Sequence, residues 1–229
     1  MKVSALIPVK GFRNAKQRLS RLLDAADREL LAEVMFRDVL KQVLKARGLV
    51  ETYVVTEDSK VAAIATSLGA QLIREEVEKG ETDAVDFARS ELKQLNREAV
   101  LIIPGDMPLV RSADIEEVLA QAPEEGGFPF ALLVPSHDRL GTNALLLAPP
   151  DIIKLRFGYD SFTYHMSQLS AQGLPLRFIE NEHLALDIDE PKDLERFLSF
   201  GFEDGESTRA VRAMLADQVA EKNRGIGVL

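Results

Sequence analysis

The spacing of apolar residues along this chain predicts strands that alternate with helices. Short apolar runs predict strands at residues 3–9, 52–56, 71–74, 100–104, 130–135 and 143–148, and a further extended segment at 174–179. Apolar positions at helical spacing predict helices at residues 28–47, 60–68, 82–95, 112–120, 161–172 and 191–200. This order is typical of a mainly parallel sheet that is covered by helices, so the sequence predicts an α/β fold.

Individual residues mark the limits of several predicted elements. Gly48 and Gly69 follow two predicted helices and are expected to stop them. Ser112 is predicted to cap the helix that follows it, and Pro191 favours the first turn of the helix that it opens. The strand at 100–104 is apolar over consecutive positions, so we predict a central strand that is buried on both faces.

The pattern predicts one continuous domain over residues 1–204 and a helical tail at 205–229. The turn-rich stretch 123–129 is the nearest feature to an internal boundary. The tail carries an apolar stripe that could pack on the same chain or on a partner, which leaves a homodimer open. The stripe consists of Val211, Met214, Leu215 and Val219.

Composition narrows the functions that this fold could serve. The 229 residues hold 37 acidic and 28 basic side chains, and the formal net charge of −9 argues against a broad nucleic-acid-binding face. No apolar segment approaches the ~20 residues of a membrane span, so we expect no membrane partner. The first residues do not follow a signal-peptide pattern, and we therefore expect a cytoplasmic protein.

Cysteine and histidine usage excludes several kinds of catalytic site. Without cysteine the chain can form no disulfide, zinc–thiolate site or thiol nucleophile. Its three histidines, His137, His165 and His183, lie far apart in the sequence. We therefore interpret each of them as a surface or core polar residue rather than as a metal ligand.

A basic loop follows the first predicted strand. Residues 10–21 carry five cationic side chains and no acid, although the chain as a whole is acidic. Strand ends in α/β sheets open on the ligand crevice, and a triphosphate needs several cations at once. We therefore interpret this loop as a phosphate-binding site, the alternative being a solvated basic loop.

Three aspartates supply the opposite charge. Asp106 directly follows the predicted central strand in a Gly-Asp turn, while Asp187 and Asp189 share a face if their segment is extended. Carboxylates on one face repel each other unless a cation lies between them, and Mg²⁺ prefers carboxylate and phosphate oxygens. The alternative is an acidic cap for the helix 191–200, which explains Asp189 well but Asp187 poorly.

Together these features favour nucleotidyl transfer. Cations for a triphosphate and carboxylates for magnesium occur without the glycine-rich loops of P-loop or dinucleotide-binding proteins. In nucleotidyl transfer a metal-bridged triphosphate loses pyrophosphate to an attacking oxyanion.

Six motifs, in this order and at these spacings, resemble those of one enzyme family. The motifs are Pro8-Val9-Lys10, Ala15-Lys16-x-Arg18-Leu19-Ser20, Gly105-Asp106-Met107-Pro108-Leu109, Gly141-Thr142-Asn143-Ala144-Leu145, Phe157-Gly158-x-x-Ser161-Phe162 and Asp187-Ile188-Asp189-Glu190-Pro191. Over about residues 3–200 the chain is similar to the CofC/FbiD nucleotidyltransferases, the 2-phospho-L-lactate or phosphoenolpyruvate guanylyltransferases of coenzyme F420 biosynthesis. The resemblance implies a single-domain nucleotidyltransferase fold, GT-A-like and Rossmann-like, with a mixed, mainly parallel sheet flanked by helices.

The resemblance also implies substrates, a cofactor and a role for each motif. The substrates would be GTP and a small phosphorylated acid, and the cofactor would be Mg²⁺, with two ions bound. The cations that would neutralise the triphosphate and the departing pyrophosphate are Lys10, Lys16 and Arg18, and the metal ligands would be Asp106, Asp187 and Asp189. The acid would be bound by Thr142, Asn143, Gly158 and Ser161, and the nucleotide by Pro8, Val9, Gly80, Thr82 and Gly105.

One segment departs from the family pattern and keeps alternatives open. Residues 80–85 read Gly-Glu-Thr-Asp-Ala-Val where many members carry Gly-Leu-Asn-x-Ala-Leu, in the region expected to meet the nucleoside. Another base, or another acceptor such as a sugar phosphate or a cofactor precursor, is therefore an alternative. A non-catalytic nucleotide-binding module and a nucleotide-sugar glycosyltransferase are weaker alternatives. The sequence does not separate phosphoenolpyruvate, 2-phospholactate and 3-phosphoglycerate as acceptors.

Overall fold

A computed structural model describes residues 1–77, 79–123, 129–201 and 205–226 of the chain. The described residues form six strands: β1 (Val3–Pro8), β2 (Leu49–Thr56), β3 (Gln71–Arg74), β4 (Ala99–Ile102), β5 (Phe130–Pro135) and β6 (Thr142–Ala148). They also form seven α-helices: α1 (Ala25–Lys45), α2 (Ser59–Leu68), α3 (Glu81–Gln94), α4 (Ser112–Ala120), α5 (Ser161–Ala171), α6 (Pro191–Ser199) and α7 (Glu206–Ile226). A short 3-10 helix, Gln17–Leu19, lies in the basic loop.

The six strands form one mixed sheet in the order β3-β2-β1-β4-β6-β5. β1 pairs in parallel with β2 and β4, and β2 with β3, while β6 runs antiparallel to β4 and β5. Neighbouring residues of β1 enter different apolar clusters, Ile7 in one and Leu6 in another, so both faces of the sheet are covered. All of β4 is buried, as its apolar sequence predicts. The predicted α/β fold with a mixed, mainly parallel sheet is confirmed.

The first long helix starts and stops earlier than its apolar pattern predicts. α1 begins at Ala25 because the Asp24 carboxylate accepts a hydrogen bond from the Asp27 N–H at 2.8 Å and so caps the helix. The helix ends before Gly48, which has a φ of 93° in the turn that leads to β2. Gly69 does stop α2, as predicted, with a φ of 100°.

The starts of α4 and α6 test two residues that the sequence places there. Ser112 is the first residue of α4 and not its cap, so that prediction is wrong by one position. The Asp114 carboxylate accepts the N–H of Arg111, the residue before the helix, at 2.8 Å. Pro191 occupies the first turn of α6, as predicted.

The segment 174–179 forms a single bridge to the sheet instead of a strand. Leu133 of β5 donates to the Arg177 carbonyl at 3.1 Å and accepts the Ile179 N–H at 3.0 Å. Pro175 has no N–H to donate, which works against a longer ladder at this edge.

The C-terminal helix packs on the rest of the same chain. Val211 and Met214 of α7 are buried in an apolar cluster that includes residues of α1. Asp38 of α1 accepts the Ser207 N–H at 2.8 Å, which satisfies a donor in the first turn of α7. These two apolar side chains of the predicted stripe are therefore used within the chain, whereas the side chain of Val219 lies outside the described residues.

In the described ranges no helix is both long and apolar enough to cross a lipid bilayer. Positions 124–128 of the predicted boundary lie outside the described residues. The division of the chain at residue 204 and the homodimer stay predictions.

Candidate active site

The ends of three neighbouring strands bring the predicted site residues to one edge of the sheet. β1 and β4 are parallel, so Pro8 at the end of β1 and the turn after β4 lie at the same edge. β6 is antiparallel to β4, so its first residues, Thr142 and Asn143, lie at that edge as well. The N–H of Ile188 donates to the main-chain carbonyl of Asp106 at 3.2 Å and brings the Asp-x-Asp segment to the same place.

Two cavities open at this edge and share a wall. The larger, of about 650 Å³, lies beside the loop after β1 and is named here the β1 cavity. The smaller, of about 470 Å³, lies at the start of β6 and is named the β6 cavity. The residues common to both walls are Glu81, Pro104, Asp106 and Asp189. Ligands in the two cavities would therefore meet beside these carboxylates.

The predicted site residues divide between the two cavities. Those that line the β1 cavity are Pro8, Val9, Lys10, Lys16, Gly80 and Gly105, and those that line the β6 cavity are Arg18, Thr142, Asn143, Gly158, Ser161 and Asp187. Thr82 lines neither cavity, because its hydroxyl accepts the Phe157 N–H at 3.1 Å and so joins α3 to the loop before α5. Apart from Thr82, the residues predicted for the nucleotide and for the acid lie on opposite sides of the shared wall.

Close packing explains the glycine before Asp106. A β-carbon on Gly105 would lie 3.0 Å from a methyl carbon of Val9 and 3.3 Å from the ring of Phe36. A side chain at this position would therefore push the turn away from β1. The glycine allows the Asp106 turn to pack directly against the wall of the β1 cavity.

Lys16 occupies the centre of the carboxylate group. Its Nζ lies 2.6 Å from Asp106 Oδ2 and 2.8 Å from Asp189 Oδ1, and only 8% of its side chain is exposed. Burial disfavours the ammonium, but the charges of Asp106 and Asp189 outweigh burial and raise the pKa of Lys16 above its usual value. The sequence predicts a triphosphate contact for Lys16, whereas the structure shows it bound to two of the predicted metal ligands.

The two aspartates of the Asp-x-Asp motif have opposite surroundings. Burial raises the pKa of Asp187 to about 6, and the charges of Asp106 and Asp189 add to this rise. Asn143 donates from Nδ2 to Asp187 Oδ1 at 3.2 Å. Burial acts on Asp189 in the same direction, but Lys16 outweighs it and lowers the pKa of Asp189. Of the two aspartates, Asp187 therefore gains more from a further cation.

The chemistry of these side chains fits a hard divalent cation. Asp106 and Asp189 supply carboxylate oxygens at the shared wall, and Asp187 supplies them from the wall of the β6 cavity. A cationic group, the Lys16 ammonium, already lies between Asp106 and Asp189. Within the described part of the chain, no three acidic or histidine side chains form a closed set of metal ligands. Mg²⁺ does not require one, because it keeps several waters and binds through one or two carboxylates plus substrate phosphates.

The sequence analysis missed a fourth carboxylate. Glu81 is the first residue of α3 and lies in the wall that the two cavities share. Burial raises the pKa of Glu81 to about 7, and the charge of Asp106 adds to this rise while Lys10 opposes it. The signal in the sequence is the departure at residues 80–85, where an acid stands in the place of leucine.

Replacing Glu81 by leucine should stabilise the metal-free protein more at high pH than at low pH. A carboxyl whose pKa rises on folding stabilises the fold below its unfolded value of 4.5, and this contribution is lost as the pH rises through about 7. We expect the gain in thermal midpoint of Glu81→Leu to be about 5–10 °C larger at pH 8 than at pH 5. Thermal unfolding in a chelator measures it, with the exposed Glu182→Leu as control. An equal gain at both pH values would contradict the prediction.

A hydrogen bond between two buried residues joins the start of β6 to the start of α5. The Thr142 N–H donates to Ser161 Oγ at 2.9 Å, and both residues are buried. Ser161 is the first residue of α5, and Asp160 is the N-cap residue that precedes it. Gly158 has a φ of 99° in the loop before α5, a conformation that favours glycine. The wall of the β6 cavity thus includes two hydroxyl-bearing side chains, which are groups suited to bind an anion.

Comparison with known proteins matches this architecture to a family of nucleotide-transferring enzymes. The model of the family described as "Guanylyl transferase CofC like" matches residues 3–223. The phosphoenolpyruvate guanylyltransferase of Rubrobacter xylanophilus is 37% identical over 201 residues, which cover 88% of this chain and 96% of that protein. The 2-phospho-L-lactate guanylyltransferase of Methanothermobacter thermautotrophicus is 33% identical over 208 residues, which cover 88% and 86%.

Solved structures agree with the fold. A nucleotidyl transferase from Methanothermobacter superposes with a TM-score of 0.63 at 17% identity, and the match covers 87% of this chain and 97% of the other. At this identity the superposition supports the nucleotidyltransferase fold alone. The family model, in contrast, spans nearly the whole chain and includes both cavities. The chain therefore belongs to the CofC-like guanylyl transferase family.

Proposed function

We propose that this chain is a magnesium-dependent guanylyltransferase that joins GMP from GTP to phosphoenolpyruvate or 2-phospho-L-lactate in coenzyme F420 biosynthesis. Membership of the family and the activities named for its relatives support guanylyl transfer. The observation that carries the proposal is the shared wall, where the carboxylates of Asp106 and Asp189 face both cavities. GTP in the β1 cavity and the acid in the β6 cavity would meet at these carboxylates.

The proposed reaction is a direct displacement at phosphorus. An oxygen of the acid's phosphate bonds to the α-phosphorus of GTP, and the bond from that phosphorus to the bridging oxygen of the β-phosphate breaks. Pyrophosphate leaves with the electron pair. The second pKa of a phosphate monoester is about 6, so the attacking phosphate is largely a dianion near neutral pH and no side chain has to remove a proton. Catalysis then rests on positioning and charge neutralisation.

The chain supplies positive charge on both sides of the shared wall. Lys10 lines the β1 cavity, and Arg18 lines the β6 cavity with a guanidinium nitrogen 3.7 Å from Asp189. The Arg18 side chain is 69% exposed, so it can turn towards a bound phosphate. Magnesium held by the three aspartates would supply further neutralisation of the triphosphate when bound.

An assay of pyrophosphate release tests the proposal. The purified chain is incubated with magnesium, GTP and phosphoenolpyruvate, 2-phospho-L-lactate or 3-phosphoglycerate in separate reactions, and a reaction without acid gives the background. We expect release that depends on one of the first two acids, with the GMP adduct found by mass spectrometry. Release with another nucleoside triphosphate but not with GTP would overturn guanine selectivity. Release with no combination would favour the non-catalytic nucleotide-binding module.

A further inference from the structure

His165 is a buried polar residue that the proposed reaction does not use. It lies in α5 with no exposed surface, and both of its ring nitrogens have hydrogen-bond partners. Nε2 lies 3.1 Å from the main-chain nitrogen of Arg156, and Nδ1 lies 2.9 Å from the hydroxyl oxygen of Thr142. Thr142 lines the β6 cavity whereas His165 does not, so the histidine stands one residue behind the cavity wall.

The main-chain contact determines which ring nitrogen carries the proton. The Arg156 N–H can only donate, so Nε2 accepts and carries no proton of its own. Burial lowers the pKa of His165 to about 4, and the charges of Arg89 and Arg156 act in the same direction, so the ring is neutral near pH 7. A neutral ring without a proton on Nε2 has its proton on Nδ1. The Nδ1–H therefore donates to the Thr142 hydroxyl oxygen.

Two aromatic rings hold the imidazole in this orientation. Phe157 and Tyr164 pack against it edge to face, each with its ring centre 5.8 Å from that of His165. Turning the ring over would place carbon atoms opposite both the Arg156 N–H and the Thr142 hydroxyl. The flipped ring would leave the buried Arg156 N–H unpaired, which disfavours that arrangement.

The direction of the Thr142 hydroxyl follows from this assignment. Its oxygen accepts from His165, so its own proton has to be donated elsewhere. No residue in the described part of the chain is placed to accept that proton, and Thr142 lines the β6 cavity. Ser161 is held similarly, because its oxygen accepts the Thr142 N–H and its proton is left for a ligand.

We propose that His165 is a positioning residue that makes the Thr142 hydroxyl a fixed donor to the carboxylate or phosphate of the acid in the β6 cavity. The inference rests on the proposed function for the identity of that anion. A hydroxyl that can turn freely must be ordered when the substrate binds, whereas a donor already aimed at the anion requires no reorganisation. The contacts of His165 thus determine how tightly the acid is held and leave the nucleotide side unaffected.

The protonated nitrogen can be measured without any substrate. In protein labelled with ¹⁵N-histidine, long-range ¹H–¹⁵N correlation spectra distinguish a proton on Nδ1 from one on Nε2. We expect His165 to carry a proton on Nδ1 and none on Nε2 between pH 6 and pH 8, and its signals are those missing from the spectrum of His165→Leu. This comparison is needed because the Nδ1 of His183 lies 2.9 Å from the Asp114 carboxylate and so carries a proton as well. A proton on Nε2 of His165 would overturn the proposal whatever reaction the protein catalyses.

Steady-state kinetics with the acid that supports pyrophosphate release then test the consequence. His165→Leu should raise KM for the acid about tenfold, as expected for the loss of one hydrogen bond to a charged group. KM for GTP should stay at the wild-type value. Thr142→Val should have the same effect, and the double variant should lose no more than either single variant, because the two side chains act as one unit. His165→Asn, whose amide can donate from the place of Nδ1, should recover part of the loss.

Leu169→Ala controls for looser packing of α5. Leu169 is fully buried one turn after His165, so its truncation should lower the thermal midpoint without a selective rise in KM for the acid. Equal rises in both KM values for His165→Leu, or additive losses in the double variant, would overturn the positioning role. If the wild-type chain releases pyrophosphate with none of the acids, the proposed function fails, and the labelled spectra still decide the hydrogen-bond assignment.

Discussion

Asp106→Asn is expected to reduce pyrophosphate release by about a thousandfold or more. In the proposed function Asp106 helps to hold magnesium, and a group that holds a catalytic metal supports several kcal/mol of transition-state stabilisation. Asp106 follows the central strand, faces both cavities and contacts the Lys16 ammonium at 2.6 Å. Asparagine keeps the shape of the side chain and removes its charge. The main-chain carbonyl of Asp106, which accepts the Ile188 N–H, is unchanged, so we expect the fold to be kept.

The effect of Asp106→Asn is separated from a general effect of charge by a matched variant. Asp83 is exposed on α3 and lines neither cavity, so Asp83→Asn removes the same charge away from the shared wall. It should keep activity within about twofold of wild type. Pyrophosphate release by Asp106→Asn at a rate close to that of Asp83→Asn would exclude Asp106 from the reacting centre, provided that the circular dichroism spectra agree.

Local patterns in the sequence were sufficient to predict most of the fold. The apolar run at β4 predicts a central strand because burial on both faces leaves no polar position in it. Pro191 predicts a helix start because proline fixes φ at a value that suits the first turn. Gly69 predicts a helix end because glycine tolerates the positive φ found there. The start of α1 was predicted three residues too late, because it depends on the capping side chain of Asp24 and the spacing of apolar residues contains no information about a polar cap.

The structure brings the predicted site residues to one edge of the sheet and shows contacts among them that the sequence did not predict. Asp106 could be predicted because it directly follows a strand, and the ends of parallel strands meet at one edge of the sheet. Asp187 could be predicted because it lies two positions before Asp189, and such residues share a face of an extended segment. The contact from Lys16 to Asp189 joins residues 173 positions apart, which no local pattern contains. His165 and Glu81 were missed because their chemistry depends on burial, and a lone histidine or glutamate in a helix is ordinarily a polar surface residue.

Lys16→Met is expected to change activity and magnesium affinity in opposite directions. Lys16 is a cation in the wall of the β1 cavity, in contact with two carboxylates of the shared wall. Removing one group that stabilises developing charge lowers turnover about 100-fold or more. In the absence of nucleotide the same ammonium neutralises Asp106 and Asp189 and competes with any metal for their oxygens. Without it, those carboxylates should bind Mg²⁺ about tenfold more tightly, a gain of about 1.4 kcal/mol. Isothermal titration with magnesium and the pyrophosphate assay measure the two effects.

Stability of the metal-free protein provides a third readout of Lys16→Met. Removing one partner of a buried ion pair leaves charge without compensation, but Asp106 and Asp189 are 32% and 43% exposed, which reduces the cost to about 1–2 kcal/mol. The thermal midpoint in a chelator should therefore fall, and magnesium should restore more of it in the variant than in wild type. Lys154→Met, at an exposed position outside both cavities, should show none of these changes.

The direction in which magnesium affinity changes, compared with the fall in turnover, distinguishes a lysine that competes with magnesium from one that only holds the loop in place. If Lys16 merely fixed the loop, its loss would disorder Asp106 and Asp189, and magnesium affinity would fall together with turnover. If the ammonium occupies the place of a cation, its loss frees two carboxylates that the fold holds by other means, such as the Ile188 N–H on the Asp106 carbonyl. Tighter magnesium binding by a nearly inactive enzyme therefore supports the exchange of Lys16 for metal, and weaker binding would exclude it.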